Sequence, residues 1–393
     1  MTPAARVQAA IELVQHVVDA AWSQGAPADR LIGDWFKTRR FAGSKDRRAI
    51  RELVYRAIRA CGPIPPTGRA AMLRLAERDP ELLPAFDGSG YGPREVEDGE
   101  PIAEGGVAPA WLTAALAASD IAGVEAEALL DRAPLDVRVN ALKAGRATLA
   151  LPIAGELLPS AQGVRLPYGT SVELWDAYRD GLIEVQDGGS QLACDAVSAR
   201  PGEIVMDLCA GAGGKTLALA AAMNNVGTLI AADTDRGRLG RLGPRAARAG
   251  AVIAETILLN PGREIDALAA WQGKANAVLV DAPCSGTGTW RRNPEARWRL
   301  TDESLDRVIA LQRRLLELAA TLVKPGGRLV YVVCSLLDRE GSGQFDAFLA
   351  DNPGWRAAPL ALPAGRARGA GLRLTPNHDA TDGFFIAQTT KPC

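Results

Sequence analysis

The chain has 393 residues, of which 47% are hydrophobic and 23% charged, and its formal net charge at pH 7 is −1. This length predicts two or three domains, and the near-zero charge excludes a uniformly basic nucleic-acid binder. Six cysteines, only two histidines and no CxxC motif give little support for a metal site or a Ser-His-Asp triad, which leaves a cysteine, lysine or carboxylate to carry any catalysis.

The sequence contains no run of about 18 uncharged apolar residues, and its N-terminus lacks the basic, apolar and small-residue order of a signal peptide. We therefore expect a cytoplasmic protein with reduced thiols and no membrane partner. A monomer without a metal is the default expectation.

Residues 1 to about 130 show the apolar spacing of amphipathic helices. Thr2 is placed to cap a first helix that has Pro3 at its first position. Apolar residues then recur every three or four positions: Val7, Ala10, Ile11, Val14, Val17, Val18 and Ala21, and later Leu31, Trp35, Phe36, Ile50, Leu53, Val54, Ala57 and Ile58. The pattern predicts an all-helical domain over residues 1–130, with an exposed acidic loop over residues 86–106.

A basic cluster lies on the polar faces of these predicted helices. It has ten basic residues against three acidic ones, a local excess of seven positive charges: Arg30, Lys37, Arg39, Arg40, Lys45, Arg47, Arg48, Arg51, Arg56 and Arg59 against Asp34, Asp46 and Glu52. Such a cluster favours salt-dependent contact with phosphates. A solvated helical face is the alternative.

The rest of the chain reads as two α/β regions. Period-two alternation over 135–140 predicts a half-buried strand, and we expect a small mixed segment over residues 134–190. From about residue 200, strands alternate with helices, which predicts a mostly parallel sheet covered on both faces. The candidate strands are Ile204–Leu208, Thr228–Ala232, Val252–Leu258, Ala277–Val280 and Arg328–Val333.

A glycine-rich turn follows the first of these strands, at Leu208–Thr216. A P-loop needs a glycine where this chain has Cys209, and the dinucleotide fingerprint needs a glycine or alanine where it has Thr216, so ATP and NAD sites are disfavoured. What remains is Asp207 before the turn and Asp233 at the next strand end. A carboxylate there can accept hydrogen bonds from both ribose hydroxyls, which suits S-adenosylmethionine. A plain strand-to-helix turn is the alternative.

Two further strands end in cysteine segments, at Asp281–Ser285 and Val332–Ser335. Ligands of parallel α/β sheets bind beyond the carboxyl ends of the strands, so we expect both segments and the glycine turn at one edge. An inert buried thiol is the more common interpretation of either cysteine alone. Because two cysteines follow matching strand ends and one of them lies close to Asp281, a catalytic role is the favoured interpretation.

Several segments, taken in order, carry a family resemblance: Leu208–Thr216, Asp281–Gly288, Arg291–Pro294, Tyr331–Ser335, Asp382–Phe385 and the N-terminal Gly43–Arg48. They resemble the RsmB/Sun family of bacterial RNA cytosine-5 methyltransferases, over nearly the whole chain. The resemblance implies a class I S-adenosylmethionine-dependent methyltransferase fold, Rossmann-like with a mostly parallel seven-stranded sheet, over 191–393. It also implies a NusB-like helical RNA-binding domain over 1–130.

The resemblance implies a role for each cysteine. Carbon 5 of cytosine is a poor nucleophile, so an enzyme first adds a thiolate to carbon 6. Cys334 matches that nucleophile, and Asp281 matches the carboxylate that assists the addition at ring nitrogen 3. Cys284 matches the second cysteine, which helps to release the product after the proton on carbon 5 has left.

The implied cofactor is S-adenosylmethionine, and its contacts carry over position by position. The predicted binding residues are Cys209, Ala210, Gly211, Ala212, Gly213, Gly214, Lys215, Asp233, Asn260 and Asp281. Asp233 is expected at the ribose and Asp281 near the methionine end. Three positions depart from the family pattern: Asn260, usually acidic and near adenine; Ala212, commonly proline; and Val333, commonly threonine. None of the three is a reacting group.

The implied partner is RNA, most of all 16S rRNA, either free or within a partly assembled small subunit. A target base must leave its stack to reach Cys334. Basic residues with interleaved tryptophans follow Cys284 and could hold phosphate or bases: Trp290, Arg291, Arg292, Arg297, Trp298 and Arg299. A solvated loop with core tryptophans is the alternative. Methylation of another RNA such as tRNA, or a non-catalytic role in ribosome assembly, also stays open.

Overall fold

The computed structural model describes residues 1–39 and 42–393. Arg40, one of the ten basic residues of the predicted cluster, lies outside the described residues. Two compact units make up the structure: Met1–Asp131 with Thr289–Thr301, and Arg132–Gly288 with Asp302–Cys393. The segment Thr289–Thr301 therefore groups with the N-terminal helices, although the sequence boundaries place it within 191–393.

The first unit is helical in the part that the structure describes. Its helices are α1 (Pro3–Trp22), α2 (Ala28–Thr38), α3 (Ser44–Ala60), α4 (Gly68–Arg78), α5 (Ala110–Ala118) and α6 (Val124–Glu127), with 3₁₀ turns at Pro80–Ala85, Ala128–Leu130 and Pro294–Arg299. Thr2 caps α1 as predicted, because its Oγ1 accepts a hydrogen bond from the Ala5 amide at 3.1 Å. Helices α1 to α4 bury their apolar stripes in one core, in which Leu13, Val17 and Ile50 are fully buried.

The basic cluster divides into bonded and exposed residues. Within the unit, Lys37 pairs with Asp34 at 2.8 Å and Arg56 with Asp79 at 2.5 Å. The guanidinium of Arg39 lies over the Trp35 ring, and that of Arg47 lies over the Phe36 ring. Lys45, Arg48 and Arg51 are exposed on α3. Their spacing of three residues places them on one face of that helix.

The segment Thr289–Thr301 corrects an expectation about RNA contact. Trp290 and Arg297 are fully buried and Trp298 is nearly so. Arg297 donates to the carbonyls of Ile58 (2.8 Å) and Cys61 (2.6 Å), and Arg299 donates to those of Gly25 and Ala26. The prediction of RNA contact is therefore wrong for Trp290, Arg297 and Trp298, whose burial matches the alternative of core tryptophans; for the half-buried Arg292 it stays a prediction. Backbone carbonyls that follow α1 or lie at the end of α3 accept the hydrogen bonds of Arg297 and Arg299, whose N–H groups we had expected to contact phosphate.

The second unit opens with a small antiparallel sheet. Its elements are β1 (Leu135–Val139), β2 (Glu156–Leu157), β3 (Gly163–Leu166), α7 (Asp176–Arg179) and β4 (Ile183–Val185). The strand order is β2-β3-β1-β4. The alternation seen at 135–140 corresponds to β1, but the prediction that this strand is half-buried is wrong, because Asp136 and Arg138 are buried as well as Val137 and Val139.

A large mixed sheet fills the rest of the unit. Its elements are α8 (Gly188–Val197), β5 (Ile204–Asp207), α9 (Gly214–Ala222), β6 (Thr228–Asp233), α10 (Arg236–Leu239), α11 (Leu242–Ala249), β7 (Glu255–Leu258), α12 (Glu264–Leu268), β8 (Ala275–Asp281), α13 (Asp302–Leu322), β9 (Val323–Val333), α14 (Ser342–Asp351), β10 (Arg356–Ala358), β11 (Arg366–Arg368), β12 (Gly371–Leu374), α15 (Pro376–Asp379) and β13 (Phe384–Thr390). The strand order is β11-β12-β13-β9-β8-β5-β6-β7, and β10 pairs with β13.

The sheet is parallel from β7 to β9 and antiparallel from β9 outward. Side chains alternate between its faces: Met206 and Tyr331 lie in one core cluster, and Val205 and Val330 lie in the other. Helices cover both faces, as the sequence pattern predicts. Within the described residues the sheet has nine strands rather than seven, because short strands extend its antiparallel edge.

Parallel pairing brings the ends of β5, β6, β8 and β9 to one edge. Asp207 is in register with Leu279, and Asp281 is in register with Val332. The glycine turn and both cysteine segments leave the sheet at this edge. Among the described helices, none is both long and apolar enough to cross a membrane.

Candidate active site

The glycine turn connects β5 to α9 and leaves space at the start of the helix. Gly211 and Gly213 have φ values of +55° and +87°, a region that favours glycine. A Cβ on Gly213 would collide with Leu242, whereas one on Gly214 would meet no atom within 4 Å. The turn is thus packed on one side and open over Gly214, at the N-terminus of α9.

Asp233, the last residue of β6, is bound to this turn. Its Oδ2 accepts a hydrogen bond from the Gly211 amide at 2.7 Å, and its Oδ1 accepts one from the Asp235 amide at 2.7 Å. The side chain is largely buried. A carboxylate can accept about four hydrogen bonds, so Asp233 keeps acceptor capacity for a ligand.

Asp207, the last residue of β5, is fully buried beneath the turn. Its Oδ2 accepts a hydrogen bond from Thr216 Oγ1 at 2.6 Å, but no donor among the described residues reaches its Oδ1. Burial raises the pKa of Asp207 to about 7, against the opposing effect of the Thr216 hydrogen bond. A buried acceptor without a donor is uncommon and points to a missing ligand or water.

Lys215 and Asp281 form an ion pair that joins the glycine turn to β8. Lys215 Nζ lies 2.7 Å from Asp281 Oδ2, and the lysine lies against the Phe384 ring at 5.8 Å. Burial is the largest single influence and acts to lower the pKa of Lys215, but the ion pair with Asp281 together with the attraction of Cys194 and Cys334 outweighs it, and the pKa is raised. Lys215 is therefore a fixed positive charge.

The two cysteine segments converge. Cys284 Sγ lies 3.3 Å from Cys334 Sγ, and both residues are half-buried. The segments are joined again by a hydrogen bond from the Gly288 amide to the Cys334 carbonyl at 3.0 Å. The hydrogen bond with Cys334, followed by burial, raises the pKa of Cys284 well above its usual range. Cys284 therefore holds its proton at neutral pH.

Other predicted residues lie less centrally. Asn260 is exposed after β7, and no hydrogen bond among the described residues joins its side chain to the other site residues. Burial raises the pKa of Cys209, whose side chain packs against the core. Ala210 is buried and Ala212 half-buried within the turn. The described residues contain no cluster of three potential metal ligands.

Sequence reasoning missed the bond between Thr216 and Asp207, and it missed Glu340 altogether. Glu340 is fully buried and accepts hydrogen bonds from residues next to both cysteines. Its neighbours Asp338 and Arg339 made the run resemble exposed charge. A spacing of six residues after Cys334 carries no signal for such contacts.

Comparison with known proteins identifies the family. Residues 195–390 match the family model described as 16S rRNA methyltransferase RsmB/F. The chain belongs to this family. The resemblance found in the sequence is thereby confirmed, and so is the class I methyltransferase fold.

Relatives named ribosomal RNA small subunit methyltransferase B align with this RsmB/F family member. The one from Xanthomonas campestris pv. campestris is 35% identical over 72% of this chain and 66% of its own length. The one from Thermus thermophilus is 41% identical over 52% of this chain and 49% of its own. The alignments therefore span less than two thirds of these relatives.

Two solved structures are similar in fold to this RsmB/F family member. The crystal structure of PH0851 is 25% identical, with a TM-score of 0.77 over 100% of this chain and 99% of that one. A methyltransferase homolog protein from Pyrococcus horikoshii is 31% identical, with a TM-score of 0.58 over 68% of this chain and 89% of that one.

The residues of this RsmB/F site fit S-adenosylmethionine. Asp207 Oδ1 lacks a donor, the space over Gly214 is open, and the Asp233 carboxylate faces the glycine turn. A ligand with hydroxyl donors and a positive charge matches this acidic, acceptor-rich set.

Proposed function

We propose that this chain transfers a methyl group from S-adenosylmethionine to carbon 5 of a cytosine in small-subunit ribosomal RNA. The contact between Cys284 Sγ and Cys334 Sγ, at the edge that carries the glycine turn, is the observation that supports this most strongly. The reaction needs one group that adds to carbon 6 and another near carbon 5. Adjacent ring carbons call for adjacent thiols.

The glycine turn from Cys209 to Lys215 and the Asp233 carboxylate hold the cofactor. Asp233 accepts hydrogen bonds from ribose hydroxyls with the lone pairs that its two amide donors leave free. When bound, S-adenosylmethionine would supply a methyl group on a positively charged sulfur, and as the activated ring carbon took up this group the sulfur–carbon bond would break and S-adenosylhomocysteine would leave with its electron pair. Asn260 is assigned to the adenine side because it follows β7.

Cys334 starts the reaction on the base. Its thiolate adds to carbon 6, and the electron pair of the ring double bond makes carbon 5 nucleophilic. Negative charge develops at ring nitrogen 3 during the addition and this nitrogen takes up a proton, and the Asp281 carboxylate stabilises that proton by accepting a hydrogen bond from it. Lys215 fixes the Asp281 carboxylate through the 2.7 Å ion pair.

Cys284 acts after the methyl group has arrived. The proton on carbon 5 must leave to a base, and its electron pair re-forms the ring double bond as the bond from carbon 6 to Cys334 breaks. Cys284 lies beside Cys334 and assists this elimination. The raised pKa of Cys284 favours the neutral thiol, which supports assigning the nucleophile to Cys334 and not to Cys284.

The N-terminal helical unit supplies affinity for RNA. We assign this role to the NusB-like region over residues 1–130, with Lys45, Arg48 and Arg51 as phosphate contacts because they are exposed on one face of α3. Such contacts give affinity without sequence preference. A ribosomal RNA substrate places the protein in the cytoplasm.

Three cysteine variants test the proposal on small-subunit RNA that lacks the modification. With labelled S-adenosylmethionine, Cys334→Ala should abolish methyl transfer, and Cys284→Ala should accumulate a covalent RNA adduct that shifts on a denaturing gel. Cys393→Ala removes an exposed thiol outside the site and serves as the control. Full activity of Cys334→Ala would contradict the assignment.

Bisulfite sequencing of RNA from a strain without the gene identifies the target. Loss of one 5-methylcytosine in small-subunit rRNA is the expected result. Loss of a tRNA site instead would favour another RNA substrate. No lost site, together with no binding of S-adenosylhomocysteine, would favour a non-catalytic assembly factor.

A further inference from the structure

Glu340 is a fully buried carboxylate that contacts the loop of each cysteine. Its Oε1 accepts a hydrogen bond from the Ser285 amide at 2.8 Å, and its Oε2 accepts a short one from the Ser285 hydroxyl. Ser285 directly follows Cys284. The Glu340 carboxylate thus accepts hydrogen bonds from both the backbone amide and the side-chain hydroxyl of Ser285, the residue after Cys284.

The same carboxylate also holds the second loop. Glu340 Oε2 accepts a hydrogen bond from the hydroxyl of Ser335, the residue after Cys334, at 2.5 Å. The two serine hydroxyls lie 3.1 Å apart, and the Thr287 hydroxyl lies 3.1 Å from that of Ser335. Both loops therefore meet at a single charged group.

Gln312 on α13 completes the set of donors. Its Nε2 donates to Glu340 Oε1 at 3.0 Å and to the carbonyl of Pro283 at 2.9 Å. Pro283 precedes Cys284, so the amide braces the first loop from its other side. Tyr331 in β9 donates to the backbone carbonyl of Glu340 at 2.7 Å and fixes the turn that carries the carboxylate.

This arrangement is costly for stability alone. A buried carboxylate loses its hydration by water, and no lysine or arginine among the described residues forms an ion pair with Glu340. Four donors offset the loss, and three of them belong to residues next to the cysteines. An apolar side chain of the same volume would fill the space but would hold neither loop.

We infer that Glu340 is a positioning residue for the thiol pair: its carboxylate ties the Ser285 and Ser335 loops together and keeps Cys284 Sγ and Cys334 Sγ in contact. The consequence for methyl transfer rests on the proposed function. The consequence for the geometry of the two thiols does not.

Disulfide cross-linking tests the geometry without any methyl transfer. The azo compound diamide takes two electrons and two protons from the thiols and becomes a hydrazine as the Cys284–Cys334 bond forms. The rate is followed by peptide mass spectrometry in wild type, Glu340→Ala and Glu340→Gln. Glu203→Gln is the control, because it removes the ion pair with Arg328 at the opposite ends of the strands. Ser285→Ala/Ser335→Ala cuts the hydroxyl contacts and keeps the carboxylate, in case Glu340→Ala fails to fold.

Glu340→Ala and the double serine variant should cross-link about tenfold more slowly than wild type, because small displacements of reacting groups cost large factors in rate. Glu340→Gln should recover part of the rate, since serine hydroxyls can turn to accept from its amide. Glu203→Gln should lower the melting temperature and leave cross-linking unchanged. Wild-type rates in both Glu340→Ala and the serine variant, or no cross-link in wild type, would overturn the inference.

Measuring the kinetics of RNA methylation distinguishes a failure of this inference from a failure of the proposed function. If the chain methylates RNA, Glu340→Gln should lower kcat by about tenfold or more, while KM for RNA and affinity for S-adenosylhomocysteine stay near wild type. If wild type does not methylate RNA but the cross-linking pattern holds, the proposed function fails and the positioning role stands. An unchanged kcat in Glu340→Ala would contradict its catalytic consequence.

Discussion

Cys284 Sγ and Cys334 Sγ lie 3.3 Å apart, although fifty positions separate the residues in sequence. The contact arises because β8 and β9 are parallel neighbours and both cysteines follow the carboxyl ends of these strands. One thiol hydrogen-bonds the other, and this hydrogen bond is the largest cause of the raised pKa of Cys284.

The first prediction concerns the ionisation of Cys284. Removing its partner in Cys334→Ala should lower the pKa of Cys284, because the hydrogen bond with Cys334 is the largest cause of its elevation. Burial remains, so the pKa should stay above the value of a free thiol. Alkylation of Cys284 by iodoacetamide at about pH 9 should therefore speed up several-fold. Cys194→Ala, a buried thiol on α8, should leave the rate unchanged.

The second prediction concerns Asp233 and the cofactor. Asp233→Asn should weaken binding of S-adenosylhomocysteine by about tenfold to a hundredfold, the value of one hydrogen bond to a charged group. Calorimetric titration measures the change. Asp235→Asn is the matched control, because this exposed carboxylate caps α10 through the Arg238 amide at 2.9 Å. Equal affinities of wild type and Asp233→Asn would remove Asp233 from the site.

The third prediction concerns Asp207 and pH. Burial raises its pKa from 3.8 to about 7 in the folded state. The folded protein therefore holds this proton over a range in which the unfolded chain has lost it. Its contribution to stability is complete below pH 3.8, declines as the pH rises and is lost above about pH 7. Over this pH range the contribution of Asp207 to the free energy of unfolding falls by on the order of 4 kcal/mol.

Urea denaturation of the cofactor-free protein between about pH 5 and pH 8 measures this effect. Asp207→Asn keeps an oxygen for Thr216 and cannot ionise, so the variant should gain stability relative to wild type as the pH rises. Asp235→Asn, at an exposed carboxylate, should follow the wild-type curve. Parallel curves for wild type and Asp207→Asn would show that Asp207 titrates normally.

The fourth prediction concerns the exposed face of α3. Replacing Lys45, Arg48 and Arg51 together by alanine should weaken RNA binding and lower the slope of log affinity against log salt by about two, given about 0.7 per phosphate contact. Affinity for S-adenosylhomocysteine should not change. The control removes three exposed, ion-paired arginines of the other unit, Arg263, Arg313 and Arg339. An unchanged slope in the α3 variant would contradict the assigned phosphate contacts.

Local patterns in the sequence were sufficient to predict the parallel sheet and the glycine turn and to identify the family. The strand periods, the glycines with positive φ in the turn, and cysteines after two strands are features of adjacent residues, and they determine which groups reach the sheet edge. The family motifs likewise consist of short continuous segments. For these features, burial period and backbone conformation carry the information.

The tertiary structure decided which side chains share a partner. Arg297 and Trp298 had the composition of an RNA-binding loop, but the structure buries them in the helical unit, where backbone carbonyls accept their hydrogen bonds. Glu340 resembled surface charge and is buried between the two cysteine loops. Hydrogen bonds between residues 55 positions apart, as for Ser285 and Glu340, or 239 apart, as for Arg297 and Ile58, depend on strand order and loop path, which no local pattern encodes. The sequence by itself determined that two thiols lie at one sheet edge; only the fold placed their sulfur atoms in contact.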